Sequence, residues 1–214
     1  MKKYQLYLFD FDYTLVNSES AIVKCFHNTL NKTGLADCDD DTIRHTIGLP
    51  MRKAVKIITG TNDEAKVDDF LKAYTVEADL YMTAGTKFFP NTVSTLKELK
   101  NHGAKIGIIS SKTSHRIKEK FVVDNVPQLV DYIIGSNEVQ AHKPDPEGIL
   151  KALAWFKIAP EKVLYTGDSF VDAGAAQNAG VDFAGVTTGT TTAATLQNYP
   201  HITIMHDIAE LLKI

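Results

Sequence analysis

The sequence predicts an α/β fold, in which a doubly wound parallel sheet carries a small helical domain inserted after its first strand. Short apolar runs of strand length alternate with helical patterns over residues 85–214, as expected for strands that are connected through helices. One more apolar run, at residues 4–9, precedes them, and only helical patterns follow it as far as residue 84. We therefore expect one sheet domain that is interrupted by a helical one.

The strands and helices of the sheet domain can be assigned from short patterns. Six apolar runs are predicted to form strands, at residues 4–9, 104–109, 132–134, 162–166, 182–186 and, less clearly, 202–205. Apolar residues at helical spacing predict helices at residues 91–101, 146–156 and 171–179. Gly103 and Gly180 follow two of these helices, where glycine commonly ends a helix.

The inserted domain is expected to be helical throughout. Ile22, Cys25, Phe26 and Leu30 fall at the spacing of one helix face. Further helical patterns occupy residues 40–46, 51–58 and 63–81, with glycines between them. The predicted domains are thus an α/β core at residues 1–15 and 85–214, and a helical domain at residues 16–84.

Composition excludes several classes of protein. The 214 residues carry a formal net charge of −3 and contain no basic run, which argues against nucleic-acid binding. No apolar run is long enough to span a membrane, and the N-terminus does not resemble a secretory signal, so a cytoplasmic location is expected. The two cysteines, Cys25 and Cys38, are expected to be free thiols. The sequence specifies no oligomeric state.

Polar clusters follow four of the predicted strands. They are Asp10-Phe11-Asp12-Tyr13-Thr14, Ser110-Ser111-Lys112, His142-Lys143-Pro144-Asp145, and Gly167-Asp168-Ser169 together with Asp172. The carboxyl ends of parallel strands share one edge of the sheet, so these clusters should converge. Crowded carboxylates are stable only beside a cation, and oxygen ligands suit Mg²⁺. A phosphate group would bind to such an ion, with a lysine and a hydroxyl group on its other oxygens.

These four clusters resemble the four motifs of the haloacid dehalogenase superfamily of phosphotransferases. The first motif is Asp-x-Asp-x-Thr, the second a Ser or Thr after an apolar strand, the third a Lys, and the fourth Gly-Asp-Ser-x-x-Asp. All four occur here in the family's order and across the whole chain. The resemblance implies a Rossmann-like core, and it implies that the helical insertion is the mobile cap that excludes water and selects the substrate.

The resemblance also implies the role of each motif residue. Asp10 would be the nucleophile that forms an aspartyl-phosphate, and Asp12 the general acid and base. The transferring phosphoryl group would be held by Thr14, Ser110, Ser111 and Lys143. Ser110 is favoured over Ser111 as the second-motif hydroxyl because it directly follows the apolar run; Ser111 would act through its backbone N–H.

A metal site is implied at the same place. Asp10, the backbone carbonyl of Asp12 and Asp168 would bind Mg²⁺. Asp172 would either orient the metal ligands without contacting the ion or bind the ion through a water molecule, and Ser169 would also lie outside the set of direct ligands. An acid at position 12 and a metal ligand at position 168 favour phosphate over halide chemistry, because a departing halide needs no proton.

Tyr13 departs from the family pattern. The phosphatases of this group usually have glycine there, a residue used where φ is positive or space is tight. Tyr13 is therefore expected either to narrow the site or to contact the substrate.

Several functions remain open at this point. The form of the motifs and the cap resemble the phosphoglycolate phosphatase branch, and the partner is expected to be a small phosphorylated metabolite: phosphoglycolate, a sugar phosphate or a nucleotide monophosphate. A mutase resembling β-phosphoglucomutase and an inorganic pyrophosphatase use a similar site. A non-catalytic binding protein on the same fold is the remaining alternative.

Overall fold

A parallel sheet of six strands forms the larger part of the chain. The computed structural model describes residues 4–214. Numbered in chain order, the strands are β1 (Leu6–Phe9), β2 (Val16–Asn17), β3 (Lys87–Phe88), β4 (Lys105–Ile109), β5 (Tyr132–Ile134), β6 (Val163–Gly167), β7 (Asp182–Val186) and β8 (Thr203–Met205). The spatial order of the large sheet is β5-β4-β1-β6-β7-β8, and all its pairs are parallel. Strands β2 and β3 form a separate two-stranded ribbon.

Helices connect these strands. The α-helices are α1 (Glu19–Thr33), α2 (Asp40–Arg44), α3 (Met51–Thr59), α4 (Glu64–Gly85), α5 (Thr92–Asn101), α6 (Ser114–Val123), α7 (Glu147–Phe156), α8 (Phe170–Ala179) and α9 (Ala193–Leu196). Short 3₁₀ helices occupy Pro127–Leu129, Ser136–Glu138, Pro160–Lys162 and Ile208–Lys213. None of the helices within residues 4–214 combines the length and the apolar composition of a membrane span.

The predicted α/β fold class is confirmed. All six predicted strands are present, and their ends differ from the expected positions by no more than two residues. Helix α6 was not predicted, because its apolar side is short: Ile117 and Phe121 are buried, whereas Val122 and Val123 are exposed. The ribbon of β2 and β3 was also missed, since two residues per strand carry no alternation that a sequence pattern can show.

The two faces of the sheet bury separate apolar clusters. In β1, Leu6 and Leu8 belong to one cluster, and Tyr7 and Phe9 to the other. This follows from the two-residue period of a strand, whose successive side chains point to opposite faces. Every residue of β1 is buried, as expected for a central parallel strand with helices on both faces.

The register of the sheet brings the ends of three strands to one level. Phe9 lies opposite Ile108 of β4 and Thr166 of β6. Asp10 and Ser110 directly follow β1 and β4, and Asp168 directly follows β6. The first, second and fourth polar clusters therefore lie at neighbouring positions along one edge.

The chain divides into two compact units. One comprises Met1–Val16 and Phe88–Ile214 and contains the sheet; the other is Asn17–Lys87 and contains helices α1 to α4. The helical unit has its own apolar core, in which the rings of Phe26, Phe70 and Tyr74 lie with centroids 4.9–6.3 Å apart. Cys25 and Cys38 are free thiols, as predicted.

The helical unit also contains a histidine that contacts two carboxylates. Nδ1 of His27 lies 2.6 Å from Asp37 Oδ1, and its Nε2 lies 2.8 Å from Asp40 Oδ1. Hydrogen bonds to Asp40 and Asp37 raise the pKa of His27, and the bond to His27 lowers the pKa of Asp37. The protonated ring therefore connects α1 to α2 and the loop before it.

We expect His27→Gln to lower stability in acid more than in base. Since the folded-state pKa of His27 is raised, its contribution is complete below the unfolded-state pKa and is lost as pH rises through the folded-state value. The melting temperature should fall by roughly 1 to 3 °C at about pH 5.5 and by less at about pH 9. Exposed His115 offers the control His115→Gln; equal losses for His27→Gln at both pH values would contradict the prediction.

Candidate active site

Asp10 stands at the end of β1 and is the centre of a buried group of charged side chains. It is 3% exposed, and its backbone N–H donates to the Thr166 carbonyl of the neighbouring strand at 2.9 Å. Its carboxylate Oδ1 accepts a hydrogen bond from Lys143 Nζ at 2.7 Å. The sheet ladder thus fixes the backbone of Asp10, and Lys143 fixes its side chain.

Lys143 joins the first motif to the fourth. Besides Asp10, its ammonium group donates to Asp172 Oδ1 at 2.6 Å and lies 3.3 Å from the Tyr165 hydroxyl. Burial disfavours the charge on Lys143, but the attraction of Asp10 and Asp172 outweighs it and raises the pKa of the amine. Lys143 is therefore a fixed positive charge at the sheet edge, between Asp10 and Asp172.

Three carboxylates gather around this point. One oxygen from each of Asp10, Asp168 and Asp172 lies within 4.8 Å of the others, and all three residues are buried. Burial, together with repulsion from Asp172, raises the pKa of Asp10 to about 7, against the opposing effect of Lys143. Burial and the charges of Asp172 and Asp10 also hold the pKa of Asp168 well above its usual range. The cluster carries more negative charge than Lys143 can neutralise, so its oxygen donors fit a divalent cation.

Asp12 stands apart from this cluster. Its carboxylate Oδ2 accepts a hydrogen bond from Lys112 Nζ at 2.9 Å, and both side chains are largely buried. The clustered carboxylates are therefore those of residues 10, 168 and 172, whereas the side chain of Asp12 is paired with Lys112. This agrees with the family resemblance, which assigns the backbone carbonyl of Asp12, and not its side chain, to the metal.

The two carboxylate oxygens of Asp172, at the start of α8, make different hydrogen bonds. Its Oδ2 accepts from the backbone N–H of Ser169 at 3.1 Å and from the Ser169 hydroxyl, while its own N–H donates to Ser169 Oγ at 3.4 Å. This is a capping box, which satisfies the free backbone donors of a helix N-terminus. The other oxygen, Oδ1, faces Lys143. Ser169 thereby orients the carboxylate that holds Lys143.

The predicted phosphate ligands lie around the same edge. The Thr14 hydroxyl is fully buried and lies 3.3 Å from Asp168 Oδ1, to which it donates. Ser110 Oγ accepts from the backbone N–H of Lys112 at 3.2 Å. Ser110, Ser111 and Lys143 line one cleft of the sheet unit. Tyr13 has a φ of 59°, the left-handed conformation for which glycine is usual, and its side chain is buried.

The sequence patterns missed Tyr165. It is fully buried in β6, and its hydroxyl donates to Asp172 Oδ1 at 2.8 Å while lying 3.2 Å from the Ile109 carbonyl. A buried tyrosine needs a partner for its hydroxyl group. Tyr165 lies two residues before Gly-Asp-Ser in a predicted buried strand, and this position could have indicated a contact with the fourth motif.

The sequence patterns also missed the loop after β7. The Thr188 hydroxyl donates to the Tyr13 carbonyl. The backbone of Gly189 lies against Asp168: a Cβ at this position would lie 2.7 Å from Asp168 Cγ and would overlap its Oδ2. Polar residues were sought after the first four predicted strands. The same search after the predicted strand at residues 182–186 would have drawn attention to this loop.

Gly189→Ala is expected to displace the Asp168 carboxylate. Because the added methyl group and Oδ2 cannot both keep their positions, the carboxylate must leave the place that it has beside Asp10 and Asp172. We expect the Mg²⁺ concentration for half-maximal activity to rise by about tenfold or more, as for other changes to groups that orient metal ligands. Titration of activity with Mg²⁺ measures this.

Gly185→Ala is the matched control for this variant. A Cβ at residue 185 would meet the Leu196 side chain at 3.0 Å, within an apolar cluster. It should leave the Mg²⁺ requirement unchanged, whereas a Gly189→Ala protein with wild-type Mg²⁺ dependence would show that the close approach to Asp168 is unimportant.

Comparison with known proteins agrees with the geometry. The family model for haloacid dehalogenase-like hydrolases matches residues 7–186. Pyrophosphatase PpaX of Anoxybacillus flavithermus is 30% identical over 84% of this chain and 81% of its own. A phosphoglycolate phosphatase of Aquifex aeolicus is 32% identical over 83% of this chain and 82% of its own.

A solved structure described as a haloacid dehalogenase-like hydrolase from Bacteroides fragilis is similar over nearly the whole chain. It superimposes with a TM-score of 0.94 at 46% identity, covering 98% of this chain and all of that one. The family model covers well over half of the residues and includes all four motifs. The chain therefore belongs to the haloacid dehalogenase-like hydrolases, the family that its motifs predicted, and is a hydrolytic enzyme of that type.

Proposed function

We propose that this enzyme is a Mg²⁺-dependent phosphatase that hydrolyses a small phosphate monoester through a phosphoryl group carried by Asp10. The observation that carries the proposal is the convergence of Asp10, Lys143, Asp168 and Asp172 within one buried cluster at the sheet edge. A nucleophilic carboxylate beside a fixed ammonium group suits an anionic phosphoryl group better than a neutral substrate.

The proposed reaction has two steps at Asp10. A carboxylate oxygen of Asp10 bonds to phosphorus as the bond from phosphorus to the leaving oxygen breaks, and Asp12 gives its proton to that oxygen. Water then attacks the same phosphorus, Asp12 takes the proton from the water, and the bond to Asp10 breaks. Inorganic phosphate leaves, and both carboxyl groups return to their starting states.

Several side chains support the phosphoryl group during these steps. Lys143 is held at the nucleophile by Asp10 and Asp172, so its ammonium group is in place to neutralise phosphoryl oxygens as charge moves. Ser110, Ser111 and Thr14 supply hydroxyl and backbone donors at the same edge, and Ser169 orients Asp172.

Mg²⁺ is proposed to bind to Asp10, Asp168 and the backbone carbonyl of Asp12. The crowding of buried carboxylates supports this: Asp10, Asp168 and Asp172 share one cluster, in which Lys143 pairs with Asp10 and Asp172. When bound, the ion neutralises the repulsion between these carboxylates and an incoming phosphate. Asp172 is already bonded to Lys143 and Ser169, which supports its role as a residue that positions the others.

The helical insertion, residues 16–84, is proposed to act as the cap of the enzyme. It leaves the sheet unit only a few residues after the first motif and returns before α5. A segment inserted at this point is well placed in the chain to shield the reaction from water and to select the substrate.

A panel of phosphate esters, assayed for phosphate release with Mg²⁺ and with excess chelator, tests this function. The panel includes phosphoglycolate, sugar phosphates and nucleotide monophosphates. We expect Mg²⁺-dependent release from at least one of them. No release from any member, or equal release in chelator, would contradict the proposal.

Pyrophosphate hydrolysis is the second candidate, favoured by the similarity to the relative named pyrophosphatase PpaX. Pyrophosphate added to the panel distinguishes it from the monoesterase. A mutase would be recognised by a different result: a phosphoryl group on Asp10 that is returned to a bound sugar instead of being released as inorganic phosphate.

A further inference from the structure

Lys112 places a second ammonium group at the first motif, where it pairs with Asp12. Its Nζ lies 2.9 Å from Asp12 Oδ2, and the two side chains are 11% and 9% exposed. A charge so little exposed to water acts on its surroundings more strongly than a solvated lysine does.

The backbone of Lys112 is fixed on both sides. Its N–H donates to Ser110 Oγ at 3.2 Å, and its carbonyl accepts from the N–H of Ser136 at 3.1 Å. The side chain therefore starts from a backbone that is ordered by the second motif and by the segment after β5. Such ordering lowers the entropy that must be lost when the ammonium group binds a ligand.

The two lysines contact different aspartates, which would act at the two ends of the breaking bond between phosphorus and the leaving oxygen. Lys143 contacts Asp10, which would attack phosphorus, whereas Lys112 contacts Asp12, which would protonate the leaving oxygen. A proton donor must come within hydrogen-bond distance of the atom that it protonates, so the Lys112 ammonium group would lie roughly 4 to 8 Å from the leaving oxygen. That is the reach of a carboxylate or phosphate attached within a few bonds of this oxygen.

We propose that Lys112 selects substrates whose leaving group carries a negative charge, an inference that rests on the proposed phosphatase function. The incoming anion competes with Asp12 for the ammonium group and is held by it while the bond to phosphorus breaks. The substrate class is thus phosphate esters or anhydrides whose leaving group is a carboxylate-bearing alcohol or a second phosphate.

Two substrates of similar size test this selection. Phosphoglycolate has an anionic leaving group, and 2-hydroxyethyl phosphate replaces its carboxylate by a neutral hydroxymethyl group; pyrophosphate is a second anionic substrate. The variants are Lys112→Met, which removes the charge, and Lys112→Arg, which keeps it. Lys118→Met, at an exposed position of α6, is the matched control.

The ratio of kcat/KM for the anionic to the neutral substrate is the readout. The wild type should favour the anionic substrates by about 10- to 100-fold, as expected for one nearby, partly buried opposite charge. Lys112→Met should remove most of this preference, mainly by raising KM for the anionic substrates. Lys112→Arg should keep most of it, and Lys118→Met should keep all of it.

Three other results would overturn the inference. If the wild type shows no preference, Lys112 does not select the leaving group. If Lys112→Met lowers kcat/KM equally for all substrates, it acts on Asp12 or on the transferring phosphoryl group. In both cases the phosphatase function stands. Absence of wild-type activity on every phosphate substrate would instead remove the proposed function and, with it, this inference.

Discussion

Asp10→Asn is expected to lower phosphatase activity by about 10⁴-fold or more, the largest effect of any single substitution in this chain. The amide has nearly the shape of the carboxylate but lacks its nucleophilic charge. Asp172 remains to hold Lys143 at 2.6 Å, so the site should keep its arrangement. Steady-state phosphate release with the preferred substrate measures the loss.

Asp124→Asn is the control for this prediction. Asp124 lies at the end of α6, where it pairs with Lys120 at 2.8 Å, and the change removes one carboxylate charge from the same unit of the chain. Its activity should be that of the wild type. An Asp10→Asn enzyme of near-normal activity would show either that another group attacks phosphorus or that the cluster is not the site of reaction.

Lys143→Met is expected to affect both activity and stability. The change leaves Asp10 and Asp172 in a buried cluster without the ammonium group that lies within 2.7 Å of each. Removing one partner of a buried ion pair typically costs about 3 to 5 kcal/mol of folding free energy. Loss of a positive charge that neutralises the transferring phosphoryl group should lower kcat by roughly 10²- to 10³-fold.

Urea unfolding and steady-state kinetics separate these two effects. Added Mg²⁺ should recover part of the lost stability, because the ion replaces some of the missing positive charge, but it should not restore kcat. Lys118→Met again serves as the control, since it removes an exposed lysine. A Lys143→Met protein with wild-type stability and kcat would mean that its ion pairs with Asp10 and Asp172 contribute little.

The fold could be predicted largely because its strands are buried on both faces. Each central strand then reads as a continuous apolar run, and the residue at which the run ends marks the edge of the sheet. Asp10 and Ser110 follow such runs directly. The ends of strands were less predictable: Tyr4 is buried but lies outside β1, because a strand extends only as far as its neighbours provide backbone partners.

The residues that could not be predicted are those whose importance depends on distant contacts. Gly189 is one glycine in a run rich in threonine, and only the packing of its loop against Asp168 shows why a side chain cannot be accommodated there. Lys112 was visible beside Ser110, but its pairing with Asp12 joins residues a hundred positions apart. Tyr13 illustrates the same limit: its positive φ explains the family's glycine, yet the chain tolerates a tyrosine.

Trapping the covalent intermediate tests the central claim most directly. The enzyme is mixed with Mg²⁺ and its preferred substrate, quenched in acid during turnover, and digested for mass spectrometry, with borohydride reduction to mark an acyl phosphate. We predict that borohydride will release the phosphate and convert Asp10 to homoserine, which marks one acyl phosphate on the peptide containing Asp10, and that this change will be absent from Asp10→Asn. Turnover with no modified Asp10, or with the phosphoryl group on another residue, would contradict the proposed reaction.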